Sequence, residues 1–494
     1  MRTLFAEFPK VTYSVLVVSA LALVISCRKG NVEHPDKQFS ENSETNQWVV
    51  ENMRDIYYWN TSIPRDRSLD FSQDPEGFFE SILHPDDRFS WIQRADDLEN
   101  ELSGVSTTVG LGIGLLQINQ AGDVVIAVRY ALDGSPADQA EIKRGDLITK
   151  INGRALTVDN YGEVLDPYYG SAAFTVQLAH INENDQIVND REVTLTPVER
   201  FQENAILLDT VITTPSGKKV GYLFYNRFLN EQPIELLNAF GRFKNAGVND
   251  LVLDLRYNGG GGIWIAAILS GLIQRNFQEN DPFIQYKYNT KYGSETLTYY
   301  QLFGGESDDQ EEVAFADAVV SSIKQVNLNL PKVYIIATNS SASASELVIN
   351  NLRPFLSDAN VVHIGETTTG KNEGSITIVD EREPRKIDWG IQPIIVKLAN
   401  KDGFGDYPDG LKPQYEVDEW NYLPWAPLGS LEDPLLAQAL GLIDPGMRPA
   451  AAKSMGLRAQ TAHKLQAIEV PGFEDKLNKP VPVDVGRPKQ RFIR

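Results

Sequence analysis

Cysteine is almost missing from this 494-residue chain: Cys27 is the only one. A single thiol cannot close an intrachain disulfide, and it rules out a zinc site built on cysteines. Histidine is scarce as well. His34, His84, His180, His363 and His463 are the full set, and His363 sits in the apolar run "VVHIG" as a core histidine does. A Ser-His-Asp arrangement therefore has no convincing base. Positive charge is also in short supply. With 46 Lys/Arg against 67 Asp/Glu the formal net charge is −21, which argues against nucleic acid as a partner, because phosphate binding needs a basic surface. The basic residues gather at one end, with ten Lys/Arg against four Asp/Glu in 447–494. Finally, the longest apolar run, "VTYSVLVVSALALVIS" (11–26), has sixteen residues, short of the roughly 20 that span a bilayer.

That run follows a short segment carrying Arg2 and Lys10 and ends at "VISC". The pattern is that of a signal-peptide core. Its end resembles the bacterial lipobox, whose cysteine is lipidated and becomes the first mature residue. The resemblance implies a signal peptide over 1–26, lipidation of Cys27, and a lipid-anchored protein of the bacterial cell envelope, facing the periplasm or exposed on the outer membrane. Residues 27–46 are polar and aperiodic, as a tether is.

Next come two helical segments. Val49, Met53 and Ile56 recur on one helical face, and "DPEGFFESIL" (74–83) opens on acidic residues. Together they make 47–102 a small helical region. Residues 103–198 change to strand-like runs, "GLLQI", "DVVIAVRY" and "AFTVQLAHI", with an "NG" hairpin signal at 152–153. "GLGI" (110–113) and "SPADQAEIKRGDLITKING" (135–153) resemble a PDZ domain. The resemblance implies that the backbone N–H groups of Leu111, Gly112 and Ile113 receive a peptide's C-terminal carboxylate while the peptide adds to a sheet edge. Residues 199–445 alternate strands and helices, an α/β layer pattern. Within them 276–330 is polar and aromatic with the acidic run "GGESDDQEE", which reads as a surface insertion or lid. Residues 446–494 read as a loosely packed basic tail.

Three motifs carry chemistry. Gly365 to Lys371 spells G-x-x-x-x-G-K, the start of a phosphate-binding loop. Asn372 follows where such a loop needs Ser or Thr, and "NEGSITIVDE" continues as a strand instead of a helix. Nucleotide binding is therefore not expected. "NSSASASELV" (339–348) places serines at a strand-to-helix junction, where free N–H groups and the helix dipole favour an oxyanion, although N-cap serines are common there. Lys371 can act as a base if burial keeps it neutral.

Taken together, "SASASE" (341–346), "GETTTGKNEG" (365–374) and "LDLRYNGGGG" (253–262) resemble the S41 C-terminal processing peptidases of Bacteroidetes-type lipoproteins. The aromatic "DIYYW" and "DRFSWI" and the segment "GFGDYPDGLKPQYEV" (403–417) add to the likeness, which covers roughly 45–445. It implies a mixed α/β fold: a crotonase/ClpP-like protease core preceded by the PDZ β-domain and the helical region. It implies a serine endopeptidase acting on proteins with exposed C-termini, with Ser343 as nucleophile and Lys371 as base. Gly259 and Gly260, with the Ser343 N–H, would form the oxyanion hole. No metal, cofactor or nucleotide is implied. Two departures stand out. The Ser343–Lys371 spacing of 28 residues is slightly long, and "RPFLSDAN" (353–360) can hold the excess. A Gln often found four residues after the lysine is here Ser375, so the lysine's partner is Ser375, Glu373 or none. A non-catalytic peptide-binding scaffold on the same fold is the alternative.

Overall fold

The computed structural model describes residues 41–102, 104–184 and 186–447. The expected signal peptide, Cys27, the tether up to residue 40 and the basic tail beyond 447 lie outside the described residues. No helix among the described residues is long and apolar enough to cross a membrane.

The described residues begin with α1 (Glu41–Ile56), whose Val49 and Met53 are fully buried. In α2 (Pro75–Ser81), Pro75 occupies the first turn and the Asp74 carboxylate accepts the Gly77 N–H at 2.9 Å, a standard helix start. β1 (Trp91–Arg94) and α3 (Ala95–Leu102) follow.

A separate small core comes next. Its elements are β2 (Val105–Thr108), β3 (Leu111–Gln117), β4 (Asp123–Ala131), α4 (Pro136–Gln139), β5 (Leu147–Ile151), β6 (Arg154–Thr157), α5 (Tyr161–Tyr169), β7 (Phe174–Ile181), β8 (Ile187–Leu195) and β9 (Val198–Gln202). β2 pairs with β9 and ties the two ends of the module together. The antiparallel sheet runs β3-β4-β6-β5-β7-β8, so β3 is an edge strand. Ile113, Ile126, Ile148 and Val176 pack against Val164 and Leu165 of α5.

The larger layer contains β10 (Ile206–Thr213), β11 (Lys219–Tyr225), α6 (Pro233–Ala246), β12 (Asp250–Asp254), α7 (Ile263–Ile273), β13 (Pro282–Tyr288), β14 (Ser294–Thr298), α8 (Tyr299–Leu302) and α9 (Gln310–Val326). It continues through β15 (Val333–Ala337), α10 (Ala344–Leu356), β16 (Val361–Gly365), β17 (Glu373–Ser375), β18 (Trp389–Gln392), β19 (Ile394–Asn400), β20 (Tyr415–Glu416) and α11 (Pro434–Ile443). The main sheet is β10-β11-β12-β15-β16-β20, parallel from β11 onward. Both faces of its central strands β11, β12, β15 and β16 are covered, so those strands are largely apolar. In β11, Val220, Tyr222 and Phe224 face Leu435, Leu436 and Leu440 of α11, whereas Leu223 and Tyr225 join the core beneath α6, α7 and α10. The fold is mixed α/β. β12, β15 and β16 are neighbouring parallel strands, and the loops leaving their carboxyl ends carry the glycine run, the serine cluster and Lys371. That edge of an open α/β sheet is where binding crevices form.

One expectation is corrected. Residues 276–330 are no detached lid: Phe283, Tyr286, Tyr299, Ala316, Val319 and Ile323 are part of the main core. The acidic run is the start of α9, where Asp309 accepts the Glu311 N–H at 2.8 Å and acidic side chains fill the first turn. Negative charge at a helix N-terminus favours the helix, and the apolar stripe behind it packs inward.

Candidate active site

Three serines of the 339–348 cluster play different parts. Ser341 Oγ donates to the Leu255 carbonyl and Ser345 Oγ to the Asn258 carbonyl, each at 2.8 Å, fastening the cluster to the glycine loop. Ser343 Oγ has no partner although the residue is 1% exposed. Its backbone is left-handed, with φ 57° and ψ −113°. For a residue with a Cβ this costs about 1–3 kcal/mol and persists only where the surroundings enforce it.

The glycine loop supplies part of that enforcement. Gly260 has φ 113°, and a Cβ there would sit 2.8 Å from Ser343 Cβ and 3.2 Å from the Ala344 nitrogen. Gly261 has φ 138°, and its Cβ would lie 2.2 Å from the Phe228 carbonyl oxygen. Only glycine fits at either position. Asn258 shapes the turn, donating to the Tyr225 carbonyl and accepting the Gly260 N–H at 2.9 Å. The Gly260 N–H is therefore already engaged, as is the Ser343 N–H, which Glu346 accepts at 2.9 Å. Two of the three expected oxyanion donors thus already have acceptors within the chain. Gly260 contributes its missing side chain, while the Gly259 and Ala344 N–H groups carry no hydrogen bond among the described residues.

Beneath the loop lies a fully buried charge cluster. The Arg256 guanidinium donates to Asp254, Asp433 and Glu419 at 2.6–3.1 Å. Arg144, from the small module, reaches Glu419 at 2.8 Å and the Tyr257 hydroxyl at 2.7 Å. Despite burial, the two guanidinium groups hold the Glu419 carboxyl down to about 2.

Lys371 follows β16 on a turn that closes onto α10. The buried Glu346 carboxylate gathers that turn: Oε1 accepts the Thr368 hydroxyl at 2.5 Å and the Gly370 N–H at 2.7 Å. Its Oε2 accepts the Lys371 N–H at 2.8 Å together with the Ser343 N–H. One carboxylate oxygen thus binds the Ser343 and Lys371 backbones together. The amides that would cradle a phosphate in a nucleotide-binding loop hold the chain's own carboxylate instead. Glu346 stands in the quoted motif but was not singled out by sequence reasoning; its spacing of three from Ser343, the capping-box distance, was the available signal.

The Lys371 side chain is fully buried and Nζ has no hydrogen-bond partner, Ser343 Oγ included. The Phe89 and Trp91 ring centroids lie 5.2 and 6.0 Å from it. Ring faces favour an ammonium by roughly 0.5–2 kcal/mol, but taking an ammonium out of water costs several. Burial wins over the nearby Glu373, Asp87 and Glu346 charges and lowers Lys371 to about 7. Of the partners considered for the lysine, Ser375 Oγ instead accepts from Gln392 Nε2 at 3.0 Å, and Glu373 pairs with Lys397 at 3.4 Å. Neither hydrogen-bonds Lys371. His363 is buried, its ring nitrogen 3.3 Å from the Ala337 carbonyl, and burial lowers it to about 4.

The other expected binding residues open β3. Leu111 and Gly112 pair with Ala131 and Tyr130, a bulge precedes Ile113, and the strand's second edge carries no partner strand. The Tyr168 hydroxyl of α5 donates to the Leu111 carbonyl at 2.6 Å, joining α5 to the start of β3. The module is docked on the larger layer through Arg144 and through Asn226, whose amide donates to the Tyr130 hydroxyl at 3.1 Å.

A strained, partnerless serine at a strand-to-helix junction, a buried lysine and a glycine loop are the arrangement expected of a serine-type peptidase. Comparison with known proteins agrees. Residues 219–391 match the model of peptidase family S41, residues 44–91 that of the peptidase S41 N-terminal domain and residues 127–177 that of a PDZ domain. The chain thus carries an S41 peptidase domain, an S41 N-terminal domain and a PDZ domain. It is 23% identical over 425 residues to the carboxy-terminal processing protease CtpA of Bacillus subtilis (strain 168), covering 84% of this chain and 78% of that protein. It is 24% identical over 351 residues to a CtpA-like serine protease of Staphylococcus aureus (strain COL), covering 70% of this chain and 60% of the relative. A crystal structure described as an S41 protease from Bacteroides fragilis NCTC 9343 superposes with TM-score 0.65 at 26% identity, covering 84% of this chain and 99% of that one.

Proposed function

We propose that this chain is a lipid-anchored serine endopeptidase that captures protein C-termini in its PDZ groove and cleaves by a Ser343–Lys371 dyad. One observation carries the reading. Ser343 Oγ and Lys371 Nζ are both buried without a partner, on backbones held by the same Glu346 oxygen. Catalytic hydrogen bonds are often formed only once substrate is bound, and a lysine lowered to about 7 is neutral enough to accept a proton at physiological pH. Lys371 Nζ removes the Ser343 hydroxyl proton while Oγ bonds to the scissile carbonyl carbon. The resulting oxyanion is received by the Gly259 and Ala344 N–H groups. The carbon–nitrogen bond then breaks, with the lysine proton passing to the leaving amine. Water, deprotonated by the same lysine, hydrolyses the acyl-enzyme and restores Ser343.

The C-terminal preference rests on the open β3 edge and on the relatives called carboxy-terminal processing and CtpA-like proteases. The envelope location rests on the lipobox-like Cys27 segment and on those relatives being bacterial. The test is cleavage of a peptide with a free, apolar C-terminus against the same peptide amidated. We expect the free form to be preferred, and Ser343→Ala and Lys371→Ala each to lose at least about a thousandfold in kcat/KM. Wild-type cleavage by both variants would refute the dyad. Silence of Ser343 toward a fluorophosphonate, with peptide binding intact, would leave a non-catalytic binding protein.

A further inference from the structure

We propose that Phe89 and Trp91, delivered by the N-terminal region, are positioning residues for catalysis: their rings wall Lys371 Nζ off from water and keep it an uncharged base. The inference rests on the reading of Lys371 as the base. It starts from a geometric fact. The Phe89 and Trp91 ring centroids stand 5.2 and 6.0 Å from Nζ, and Nζ itself has no hydrogen-bond partner among the described residues.

These rings come from a segment 282 residues distant in sequence, and it is secured from several sides. Asp87 Oδ1 accepts the Phe89 and Ser90 N–H groups, both at 2.9 Å. The Tyr57 hydroxyl of the residue just after α1 donates to Asp87 Oδ2 at 2.6 Å. Arg88 donates to the carbonyl of Gly370, the residue before the lysine, at 2.8 Å and to that of Pro408 at 3.2 Å. Ser90 Oγ accepts the Ile394 N–H at 2.8 Å, and Trp91 is in register with Gln392 across β1 and β18. The N-terminal region is therefore stitched to the turn that carries the base, with its two rings turned to the amine.

Every charged group acting on Nζ favours the ammonium: Glu373 from β17, Asp87 from the N-terminal segment and Glu346 from α10. The ring faces favour it too. Exclusion of water is the one influence in the other direction. Removing a ring admits water, the carboxylates stay, and the amine becomes more basic. A base works only in its neutral form, so the acid limb of the pH–rate profile must move upward.

The experiment uses the full-length chain in detergent and follows the rate of fluorophosphonate labelling at Ser343 from about pH 6 to 10. The parent should show an acid limb near the lysine value. In Phe89→Ala and in Trp91→Ala the midpoint should rise by roughly one pH unit, giving about fivefold slower labelling at pH 7, approaching tenfold at pH 6, and recovery in alkali. Phe89→Leu, still apolar, should keep the parental midpoint. An unchanged or lowered midpoint in the alanine variants, with rates scaled evenly across pH, would overturn the inference. Should Phe89→Ala fail to fold, Trp91→Ala decides alone, since Trp91 is only half-buried. Lys371→Ala separates the two readings: labelling at the parental rate would sink the lysine as base, whereas a dead Lys371→Ala beside unshifted wall variants sinks only the wall.

Discussion

Ser343, Lys371 and Glu346 acquire their roles from what surrounds them. A serine before a helix is ordinarily an N-cap, and Ser343 holds that position in α10, while Ser341 and Ser345 donate to carbonyls of the glycine loop. Ser343 differs because the Gly260 loop and Glu346 hold it at positive φ with its hydroxyl unengaged. Glu346 accepts four hydrogen bonds on two oxygens. In Glu346→Gln, one end becomes an amide donor facing two donors. Each N–H left unpaired costs about 1–3 kcal/mol, so we expect on the order of 2–6 kcal/mol of destabilisation, read as a lower thermal midpoint, with slower labelling of Ser343. A variant that melts and labels like the parent would show that the carboxylate does not join the two backbones. The motifs placed Ser343 and Lys371 in view from sequence. The state of their N–H groups could not be read there, because which amides remain free depends on partners three to twenty-five residues away.

At the level of elements, β12, β15 and β16 end side by side, so three loops far apart in sequence meet. The glycine loop is supported by Arg256, whose guanidinium is divided among Asp254, Asp433 and Glu419 inside the protein. Arg256→Met would leave Glu419 and Asp433 with Arg144 as their cation and Asp254 with the Tyr222 hydroxyl and no cation. Breaking a buried ion network by removing one member costs roughly 3–5 kcal/mol, and the loss should appear as a lower urea midpoint at unchanged slope. Arg256→Lys should recover little, since an ammonium cannot reproduce the planar fork. An unshifted midpoint in Arg256→Met would remove the cluster as the loop's support. The sequence placed β12 and the glycines correctly as strand and loop. It gave no sign that Asp433 and Glu419, about 165–180 residues onward, complete the cluster, nor that 276–330 joins the core, because an acidic helix start hides the apolar stripe behind it.

For the molecule as a whole, the PDZ module, the larger α/β layer and the N-terminal region belong to one structure, while the proposed membrane tether precedes them in the sequence. Growing cells on labelled fatty acid tests that tether. The parent chain should take up label, and Cys27→Ser should lose it and accumulate as the longer, unprocessed form. Absence of label from the parent would leave the apolar run as a plain leader or anchor.

Local sequence by itself determined a good deal: the lone cysteine after an apolar run, the alternation that makes β11 a strand covered on both faces, and the glycines that permit positive φ beside Ser343. Each depends on residues close in the chain. Tertiary structure alone decided the surroundings of the Lys371 amine. The sequence of its turn left burial open, and the Phe89–Trp91 segment, arriving from the far end of the chain, brings two rings to within 5.2 and 6.0 Å of Nζ. Desolvation is a property of everything packed around a group, and no local pattern encodes it.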